Sequence, residues 1–213
     1  MNERKLQILL VDDHAVVRGG LRLLLAQTDD MEVVSEAENA EQAISMIREN
    51  EFDVALVDIG LPGKGGLDLL KQIKAERPRI AVLMLSMYAE EVYAVRALKA
   101  GASGYLTKNS PPGTLLAAIR KVAGGGRHVS PALLEQLAVE VGQGRKSASD
   151  ALSDREIEVL RRLASGESLT QIAEALHLSP KTVTTYRARI VEKTGLHSNA
   201  ELTRYALEKG MLS

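Results

Sequence analysis

Two adjacent carboxylates, Asp12 and Asp13, stand directly after the apolar run ILLV at residues 8–11. Like charges at the rim of a hydrophobic core repel each other, so they are stable there only when water reaches them or a cation lies between them. Asp58 ends a second apolar run, at residues 54–57. If the fold brings the three carboxylates together, their oxygens suit a hard divalent cation. Mg²⁺ fits best, because it keeps waters and leaves room for a phosphoryl group.

Ser86 and Lys108 end two further apolar runs and complete this candidate chemistry. The hydroxyl of Ser86 can donate a hydrogen bond to a phosphoryl oxygen, and the ammonium of Lys108 can offer it a positive charge. Asp58 stands alone at the end of its run, so it is the predicted nucleophile, while the pair Asp12 and Asp13 is better placed to hold the metal. The expected product is an acyl phosphate on Asp58, with Mg²⁺ and Lys108 offsetting the developing charge.

Each of these residues has an ordinary structural explanation when it is taken singly. An Asp at a strand end usually caps a helix or lies in a solvated loop, and we expect His14 to be a plain surface or cap residue. Tyr105 has the ordinary interpretation of a half-buried strand aromatic, and the segment GLPG at 60–63 that of a chain turn. The chemical interpretation therefore depends on the coincidence of suitable residues at the ends of four separate strands.

The elements that would position these residues alternate between strand and helix signals along residues 1–123. Short apolar runs predict five strands, and apolar residues at helical spacing predict a helix after each strand. The predicted strands are 7–11, 32–36, 53–57, 80–85 and 104–107, and the predicted helices lie near 14–27, 40–49, 66–76, 90–100 and 112–122. Five β–α units predict an α/β doubly wound fold with a parallel five-stranded sheet. The flavodoxin-like strand order 2-1-3-4-5 would make strands one and three neighbours at the switch point, where ligands bind.

A change in composition marks the boundary between two predicted domains. Three glycines at 124–126 interrupt the β–α rhythm. A candidate helix near 131–141 begins at a proline, and the segment 142–149 has the composition of a flexible linker. We therefore predict a first domain at 1–123, a linker at 124–149 and a second domain at 150–213.

The second half of the chain has the pattern of an all-α domain with a helix-turn-helix. Capping-box sequences open its first and last helices, at Ser153–Glu156 and Ser198–Glu201. Two helices near 169–176 and 180–194 lie between them, and Pro180 suits the first position of the second one.

The helix near 180–194 is the candidate nucleic-acid interface, since a short basic second helix is what enters a major groove. Its basic residues are Lys181, Arg187, Arg189 and Lys193, against the single acid Glu192. The side chains predicted to meet bases are Thr184, Thr185 and Arg187. The side chains predicted to hold phosphates are Lys181, Tyr186 and Arg189, with Thr182 as a further DNA contact. The alternative is that these charges only solvate a helix face, an interpretation that a capped helix-turn-helix makes less attractive.

The chain has 213 residues, a formal net charge of -1 and no cysteine. Without cysteine there are no disulfides and no cysteine-based zinc sites, which fits a cytoplasmic location. No apolar stretch approaches the roughly 20 residues that span a bilayer, and the polar N-terminus lacks the apolar segment of a signal peptide. We therefore expect no membrane partner. Any nucleic-acid contact must use a local basic stripe, because no global basic field exists.

Residues 6–122 resemble the receiver domain of two-component response regulators. The matching segments are VDDH, LVDIGLPGKGGL, LMLS and GASGYLTK. The resemblance implies that Asp58 accepts a phosphoryl group from the phosphohistidine of a sensor histidine kinase. It also matches the family's acidic pair, hydroxyl residue and lysine to Asp12 and Asp13, Ser86 and Lys108.

Two further roles come from this resemblance alone. The backbone carbonyl of Gly60 would be a ligand of Mg²⁺, and Tyr105 would be a switch residue that rotates inward as Ser86 moves toward the phosphoryl group. The chain departs from the family pattern at Asn109, where proline or aspartate is common, and at GKGG, which lacks an acidic residue. Neither departure touches the predicted site.

Residues 150–211 resemble the LuxR-type helix-turn-helix of the NarL/FixJ subfamily. The matching segments are LSDREIEVLRRLASGESLTQIAEALHLSPKTVTTYRARIVEKTGL and SNAELTRYALEKG. Family members often carry histidine where Tyr186 stands, which weakens the phosphate assignment there. The resemblance implies a DNA-bound dimer through the last helix, near 199–209, whereas the residues alone fit a packing helix equally well. A dimer would read two half-sites in roughly palindromic operators.

The two resemblances predict a response regulator of a two-component system, in which phosphorylation of Asp58 controls dimerisation and sequence-specific DNA binding to regulate transcription. We do not expect an enzyme that acts on an external substrate. We expect the receiver to promote only phosphotransfer to itself and its own dephosphorylation. The expected partners are a sensor histidine kinase, double-stranded DNA and a second copy of the chain on activation, with RNA polymerase as a further candidate.

Two other classes of protein compete with this prediction. Aspartyl phosphatases also form an acyl phosphate, but they usually carry a second Asp two residues after the nucleophile, where this chain has Gly60. A pure interaction module, whose C-terminal bundle binds protein, is the third hypothesis. Salt-dependent binding to duplex DNA would discriminate against it, since phosphate contacts release counterions.

Overall fold

The computed structural model describes residues 4–87, 90–131, 133–135, 152–209 and 211–212, without the side chains of 90–92. The chain divides into two compact units, Met1–Ser130 and Pro131–Ser213. Of the candidate helix near 131–141, residues 131 and 133–135 are helical, and the remainder lies outside the described residues. The predicted linker at 142–149 also lies outside them.

The first unit is a five-stranded parallel sheet in the order β2-β1-β3-β4-β5, which confirms the predicted flavodoxin-like fold. Each strand is followed by a helix, because each apolar run is followed by apolar residues at helical spacing. The elements are β1 Leu6–Val11, α1 Ala15–Ala26, β2 Met31–Ala37, α2 Ala40–Glu49, β3 Val54–Asp58, α3 Gly66–Glu76, β4 Ala81–Ser86, α4 Glu90–Lys99, β5 Gly104–Thr107 and α5 Pro112–Ala123.

The core of this unit lies on both faces of the sheet, because successive side chains of a strand point to opposite faces. Ile8 and Leu10 of β1 belong to a buried cluster that includes Leu25 of α1 and Ile119 of α5. Their neighbour Leu9 is also completely buried, on the opposite face. Burial on both faces explains why the strands are continuous apolar runs rather than alternating ones, and why the polar residues stand at the strand ends.

A single residue after α5 returns to the outer edge of the sheet. His128 forms an isolated bridge with Gly104 of β5, accepts a hydrogen bond from the amide of Tyr105 and donates one to the carbonyl of Ser103. The approach is close, since a Cβ on Gly104 would lie 2.7 Å from the carbonyl oxygen of His128. The compact unit therefore reaches beyond the end of α5.

Residues 152–209 of the second unit contain four helices, α6 Asp154–Ala164, α7 Leu169–Ala175, α8 Pro180–Thr194 and α9 Asn199–Glu208. Complete capping boxes begin α6, α7 and α9, and Ser179 caps α8 by accepting a hydrogen bond from the amide of Thr182. These caps satisfy backbone amides that a helix start leaves without partners. In the turn between α7 and α8, His177 adopts a left-handed conformation with a φ of 51°.

The core of the second unit is formed by apolar residues that recur on the inner faces of its helices. α6 lies against α8 and α9, and α7 lies against α8. The fully buried members include Ile157, Leu160, Ile172, Val183, Ile190 and Leu202. With Val183 and Ile190 turned inward, the remaining face of α8 is left to solvent.

Candidate functional site

The ends of β1 and β3 bring four polar side chains into one pocket. β1 and β3 are adjacent and pair Val11 with Val57, so Asp12 and Asp58 follow at the same level of the sheet. Asp12, Asp13, His14 and Asp58 each offer one ligand atom, and these atoms all lie within 4.8 Å of one another. Asp12 is 2% exposed and Asp58 4% exposed, so both carboxylates are buried. We call these four residues the acidic pocket.

Lys108, directly after β5, closes one side of the acidic pocket. Its Nζ lies 2.6 Å from Asp12 Oδ2 and 3.0 Å from Asp58 Oδ2, with the lysine side chain 7% exposed. The amide of Lys108 donates to the carbonyl of Ser86, which fixes the end of β5 beside β4. One ammonium thus faces two buried carboxylates, and the pocket keeps an excess of negative charge that a divalent cation can offset.

Burial and charge act in opposite directions on these groups. Burial raises the pKa of Asp58, and the Asp12 carboxylate raises it further, although the charge of Lys108 and the amide of Gly60 act to lower it. Burial alone would lower the pKa of Lys108, but the carboxylates of Asp58 and Asp12 outweigh burial and raise it. The lysine therefore remains a cation beside a carboxylate that is costly to keep ionised.

Ser86 and Tyr105 occupy neighbouring strands beside this pocket. Ser86 ends β4, is 1% exposed and pairs with Thr107, while Asp58 pairs with the preceding Leu85. Tyr105 lies two positions earlier on β5 and is 1% exposed, so the expectation of a half-buried aromatic is wrong. The sheet packs on both faces at β5, which is why this strand residue is fully enclosed.

Two glycines border Asp58, and the structure separates their roles. The amide of Gly60 hydrogen-bonds the Asp58 carboxylate, and a Cβ there would lie 3.4 Å from Asp58 Oδ2, an ordinary contact distance. A Cβ on Gly66 would lie only 2.0 Å from the carbonyl oxygen of Asp58, so only glycine fits. Gly66 begins α3 against the backbone of the strand end, a role that the sequence pattern did not indicate.

Two contacts of the acidic pair, His14 within the pocket and Arg18 beside it, were not assigned to the site by the sequence analysis. His14 Nδ1 lies 2.8 Å from Asp13 Oδ1 and 3.3 Å from Asp12 Oδ1. His14 is exposed, as expected of a surface residue, and it stands at the N-cap position of α1 without making a side-chain cap. Arg18 is 8% exposed, hydrogen-bonds the carbonyl of Asp12 and pairs with Glu38 at 2.6 Å. The adjacency of His14 to the acidic pair was the one available signal.

The solvent face of α8 carries most of the predicted DNA contacts. Lys181, Thr184, Thr185 and Arg189 are exposed, and Thr182, Tyr186 and Arg187 are partly buried. The hydroxyls of Thr184 and Thr185 donate to the carbonyls of Pro180 and Lys181. The guanidinium of Arg187 donates to Asn199 Oδ1 at 3.3 Å, which links α8 to the start of α9.

Lys193 differs from the other basic residues of α8. Its Nζ lies 2.7 Å from Oε2 of Glu156, which is 2% exposed and also closes the capping box of α6. Burial alone would raise the pKa of Glu156, but the hydrogen bonds from Lys193 and Ser153 outweigh burial and lower it. Lys193 is therefore engaged within the bundle, and the basic stripe is formed by Lys181, Arg187 and Arg189.

Within the parts of the chain that the structure describes, no helix combines the length and the apolar composition needed to cross a membrane.

Two family models match the chain, one for each compact unit. The response regulator receiver domain matches residues 8–120, and the luxR family of bacterial regulatory proteins matches residues 150–206. The chain therefore belongs to the response regulators, with a receiver domain followed by a luxR-family regulatory domain. This confirms the predicted class, a response regulator that acts as a transcription regulator.

Relatives extend over nearly the whole chain. The response regulator UvrY of Escherichia coli strain K12 is 36% identical over 208 residues, which are 97% of this chain and 95% of UvrY. The response regulator GacA of Pseudomonas protegens is 39% identical over 208 residues, 97% of this chain and 98% of GacA. RcsB from Salmonella enterica serovar Typhimurium, solved bound to promoter rprA with the phosphomimetic BeF3-, matches with a TM-score of 0.66. Its identity is 26%, over 95% of this chain and 98% of RcsB.

Proposed function

We propose that Asp58 is the phosphoacceptor of this response regulator, and that its phosphorylation by a sensor histidine kinase controls dimerisation and DNA binding. The observation that carries the proposal is the placement of Lys108 Nζ against both Asp12 and Asp58, within a pocket of three carboxylates. The pocket offers a nucleophile, a fixed cation and further oxygen ligands, which are the groups that capture of a phosphoryl group requires.

The residues of the pocket fit Mg²⁺. Asp12, Asp13 and Asp58 offer oxygen atoms that are close enough to share one ion, and Gly60 would add its backbone carbonyl. One lysine does not balance three carboxylates, so a divalent cation would relieve the remaining repulsion. When bound, Mg²⁺ would neutralise charge on the carboxylates and on an incoming phosphoryl group.

The transfer step uses side chains that the structure places together. A carboxylate oxygen of Asp58 attacks the phosphorus of a phosphohistidine, the new O–P bond forms as the P–N bond breaks, and the imidazole leaves. Lys108 pairs with the phosphoryl oxygens, and the hydroxyl of Ser86 donates a hydrogen bond to them. Water later cleaves the acyl phosphate, which restores the carboxylate and releases inorganic phosphate. This self-hydrolysis is the sole turnover that we propose.

The proposed switch passes from Ser86 to Tyr105 and shifts a population of conformations. Ser86 moves toward the phosphoryl group, and Tyr105 takes the inward position. Tyr105 is already buried in this structure, so the switch requires a resting state with a second, more exposed conformation. The change would favour a homodimer, and RcsB is a relative that has been solved as dimers on DNA.

The basic stripe of α8 is the proposed DNA interface. Exposed Lys181 and Arg189 would hold phosphates together with Tyr186, and Thr184, Thr185 and Arg187 would read base edges, with Thr182 as a further contact. Because the Thr185 hydroxyl hydrogen is used within α8, the methyl group is its proposed base contact, with a thymine. RcsB has been solved bound to a promoter in the presence of a phosphomimetic, which supports DNA binding here.

The proposal also covers the domain boundaries, the cellular location and a further partner. We propose 1–123, 124–149 and 150–213 as receiver, linker and DNA-binding domain, with residues 124–130 of this linker packed as part of the first compact unit. The cytoplasm is the proposed location, where both the kinase's catalytic part and the DNA are accessible. RNA polymerase is a further proposed partner, since a regulator on a promoter acts beside it.

The decisive experiment compares Asp58→Asn with the wild type during incubation with acetyl phosphate and Mg²⁺, with phosphoryl uptake measured by intact mass. We expect uptake in the wild type and none in Asp58→Asn, because the amide cannot form the acyl phosphate. Asp68→Asn is the matched control, since Asp68 is an exposed carboxylate on α3 paired with Lys71. Labelling of Asp58→Asn at the wild-type level would place the acceptor elsewhere. Uptake that persists in EDTA would remove Mg²⁺ from the proposal.

A further inference from the structure

His14 places an imidazole nitrogen among the oxygens of the acidic pocket. Nδ1 lies 2.8 Å from Asp13 Oδ1 and 3.3 Å from Asp12 Oδ1, and the amide of His14 donates to the same Asp12 oxygen at 2.9 Å. The ring is held at the junction of β1 and α1, directly before Ala15, and does not cap the helix. Its position is therefore directed to the carboxylates rather than to the helix start.

The two oxygens of Asp12 have different neighbours. Oδ2 faces Lys108 at 2.6 Å, deep in the pocket, and Oδ1 faces His14. The His14 side chain is 64% exposed and that of Asp13 32% exposed, so these two residues form the solvent side of the pocket. An ion that enters from solvent would meet His14 and Asp13 first and the buried Asp12 and Asp58 behind them.

The four ligand atoms are close enough to surround one ion. They lie within 4.8 Å of one another, and ligand atoms on opposite sides of a first-row divalent ion are roughly 4.2 Å apart for bonds of about 2.1 Å. A small contraction of the pocket would bring all four into contact with one cation. The resulting set is one nitrogen and three carboxylate oxygens.

We propose that His14 Nδ1 is a ligand of the acidic pocket, and that it makes the pocket bind an imidazole-binding divalent cation more tightly than Mg²⁺. The inference depends on the proposed metal pocket and adds a residue and a metal class to it. Imidazole is a good ligand for Ni²⁺ and Zn²⁺, whereas Mg²⁺ prefers oxygen and keeps its waters. The proton of the ring would then sit on Nε2.

The test is calorimetric titration of the full-length, untagged chain with Ni²⁺ and, separately, with Mg²⁺. We expect Ni²⁺ to bind more tightly than Mg²⁺ and to be displaced by excess Mg²⁺, because both use the same carboxylates. His14→Ala should weaken Ni²⁺ binding on the order of 10- to 100-fold, and leave Mg²⁺ binding within about twofold. His177→Ala and His197→Ala are matched controls in the second unit and should leave the displaceable Ni²⁺ unchanged.

Other results of the titrations would contradict the role of His14 as a ligand or the metal pocket itself. Unchanged Ni²⁺ affinity in His14→Ala would show that the imidazole only hydrogen-bonds Asp13, and equal losses of Ni²⁺ and Mg²⁺ would show a merely structural role. Either result overturns the inference and leaves phosphorylation of Asp58 untouched. Absence of Mg²⁺ binding in the wild type would instead contradict the proposed metal pocket itself. Circular dichroism of His14→Ala checks that the exposed substitution keeps the fold.

Discussion

The acidic pocket and the solvent face of α8 are built in opposite ways. The pocket and its border take polar side chains from the ends of four strands, and the contacts of Lys108 with Asp12 and Asp58 are buried. The face of α8 takes its side chains from a single helix and leaves most of them in solvent. Substitutions in the pocket should therefore be coupled and costly to stability, whereas those on α8 should be nearly independent and alter binding rather than folding.

The largest expected effect tests the tight backbone packing of the pocket. Gly66→Ala places a Cβ 2.0 Å from the carbonyl oxygen of Asp58, so α3 must shift. We expect the free energy of unfolding to fall by about 3 kcal/mol, at the upper end for overpacking, measured by urea denaturation. Gly20→Ala in α1 is the matched control, because a Cβ there meets nothing within 4 Å and should raise stability by about 0.5 kcal/mol. Equal effects would mean that the junction of β3 and α3 is not tightly packed.

The second prediction compares the loss of stability on removing a buried lysine with the loss on removing an exposed one. Lys108→Ala leaves Asp12 and Asp58 buried without their cation, and we expect a loss of about 2 kcal/mol in EDTA. Added Mg²⁺ should recover part of this loss by replacing the missing charge. Lys181→Ala, on the exposed face of α8, should change stability by less than about 0.5 kcal/mol. Similar losses in both variants would contradict the contrast between the two regions.

A smaller effect tests the ion pair that anchors α8 to α6. Glu156→Gln keeps the acceptor for the capping box and removes the charge that faces Lys193, at an expected cost of about 1 kcal/mol. The pKa of Glu156 is lowered in the folded state, so the contribution is complete above the ordinary value of 4.5 and is lost as the pH falls through the folded value. Urea midpoints of both proteins across acidic pH should therefore converge below pH 4.5. A gap that stays constant with pH would exclude the ion pair as its cause.

The smallest effect on folding accompanies a change in DNA binding. Lys181→Ala should weaken binding to all duplexes about equally and reduce the salt slope by about 1. Thr185→Ser keeps the hydroxyl but removes the methyl group. The free-energy preference for thymine over other bases at the contacted position should therefore fall by about 1 kcal/mol. Selection of bound sequences from random duplexes, with and without acetyl phosphate, measures both. A uniform loss from both variants would mean that the division into phosphate and base contacts is wrong.

The sequence predicted what depends on local patterns. Asp12, Asp58, Ser86 and Lys108 were found because each interrupts an apolar run at a strand end, and parallel strands bring such ends together. Helix starts such as Ser153 were found because a capping box is encoded within four residues. The basic character of α8 could be predicted for the same reason, since all of its charged residues lie in one continuous segment of the sequence.

The sequence did not predict what depends on distant packing. The contact that excludes a side chain at Gly66 arises where α3 meets the backbone of β3. The removal of Lys193 from the basic stripe depends on Glu156, 37 positions away. Full burial of Tyr105 depends on packing over both faces of the sheet, and the direction of the His14 ring depends on how α1 leaves β1. None of these is visible in spacing alone.

The hydrogen bonds of His128 cover one point on the outer edge of the sheet. β5 is an outer strand of the sheet, and an outer strand offers unpaired amides and carbonyls to any extended peptide. His128 already occupies the amide of Tyr105 and the carbonyl of Ser103. A strand from another molecule would therefore meet backbone groups that are already paired at that point, which removes one place where edge-to-edge pairing could begin.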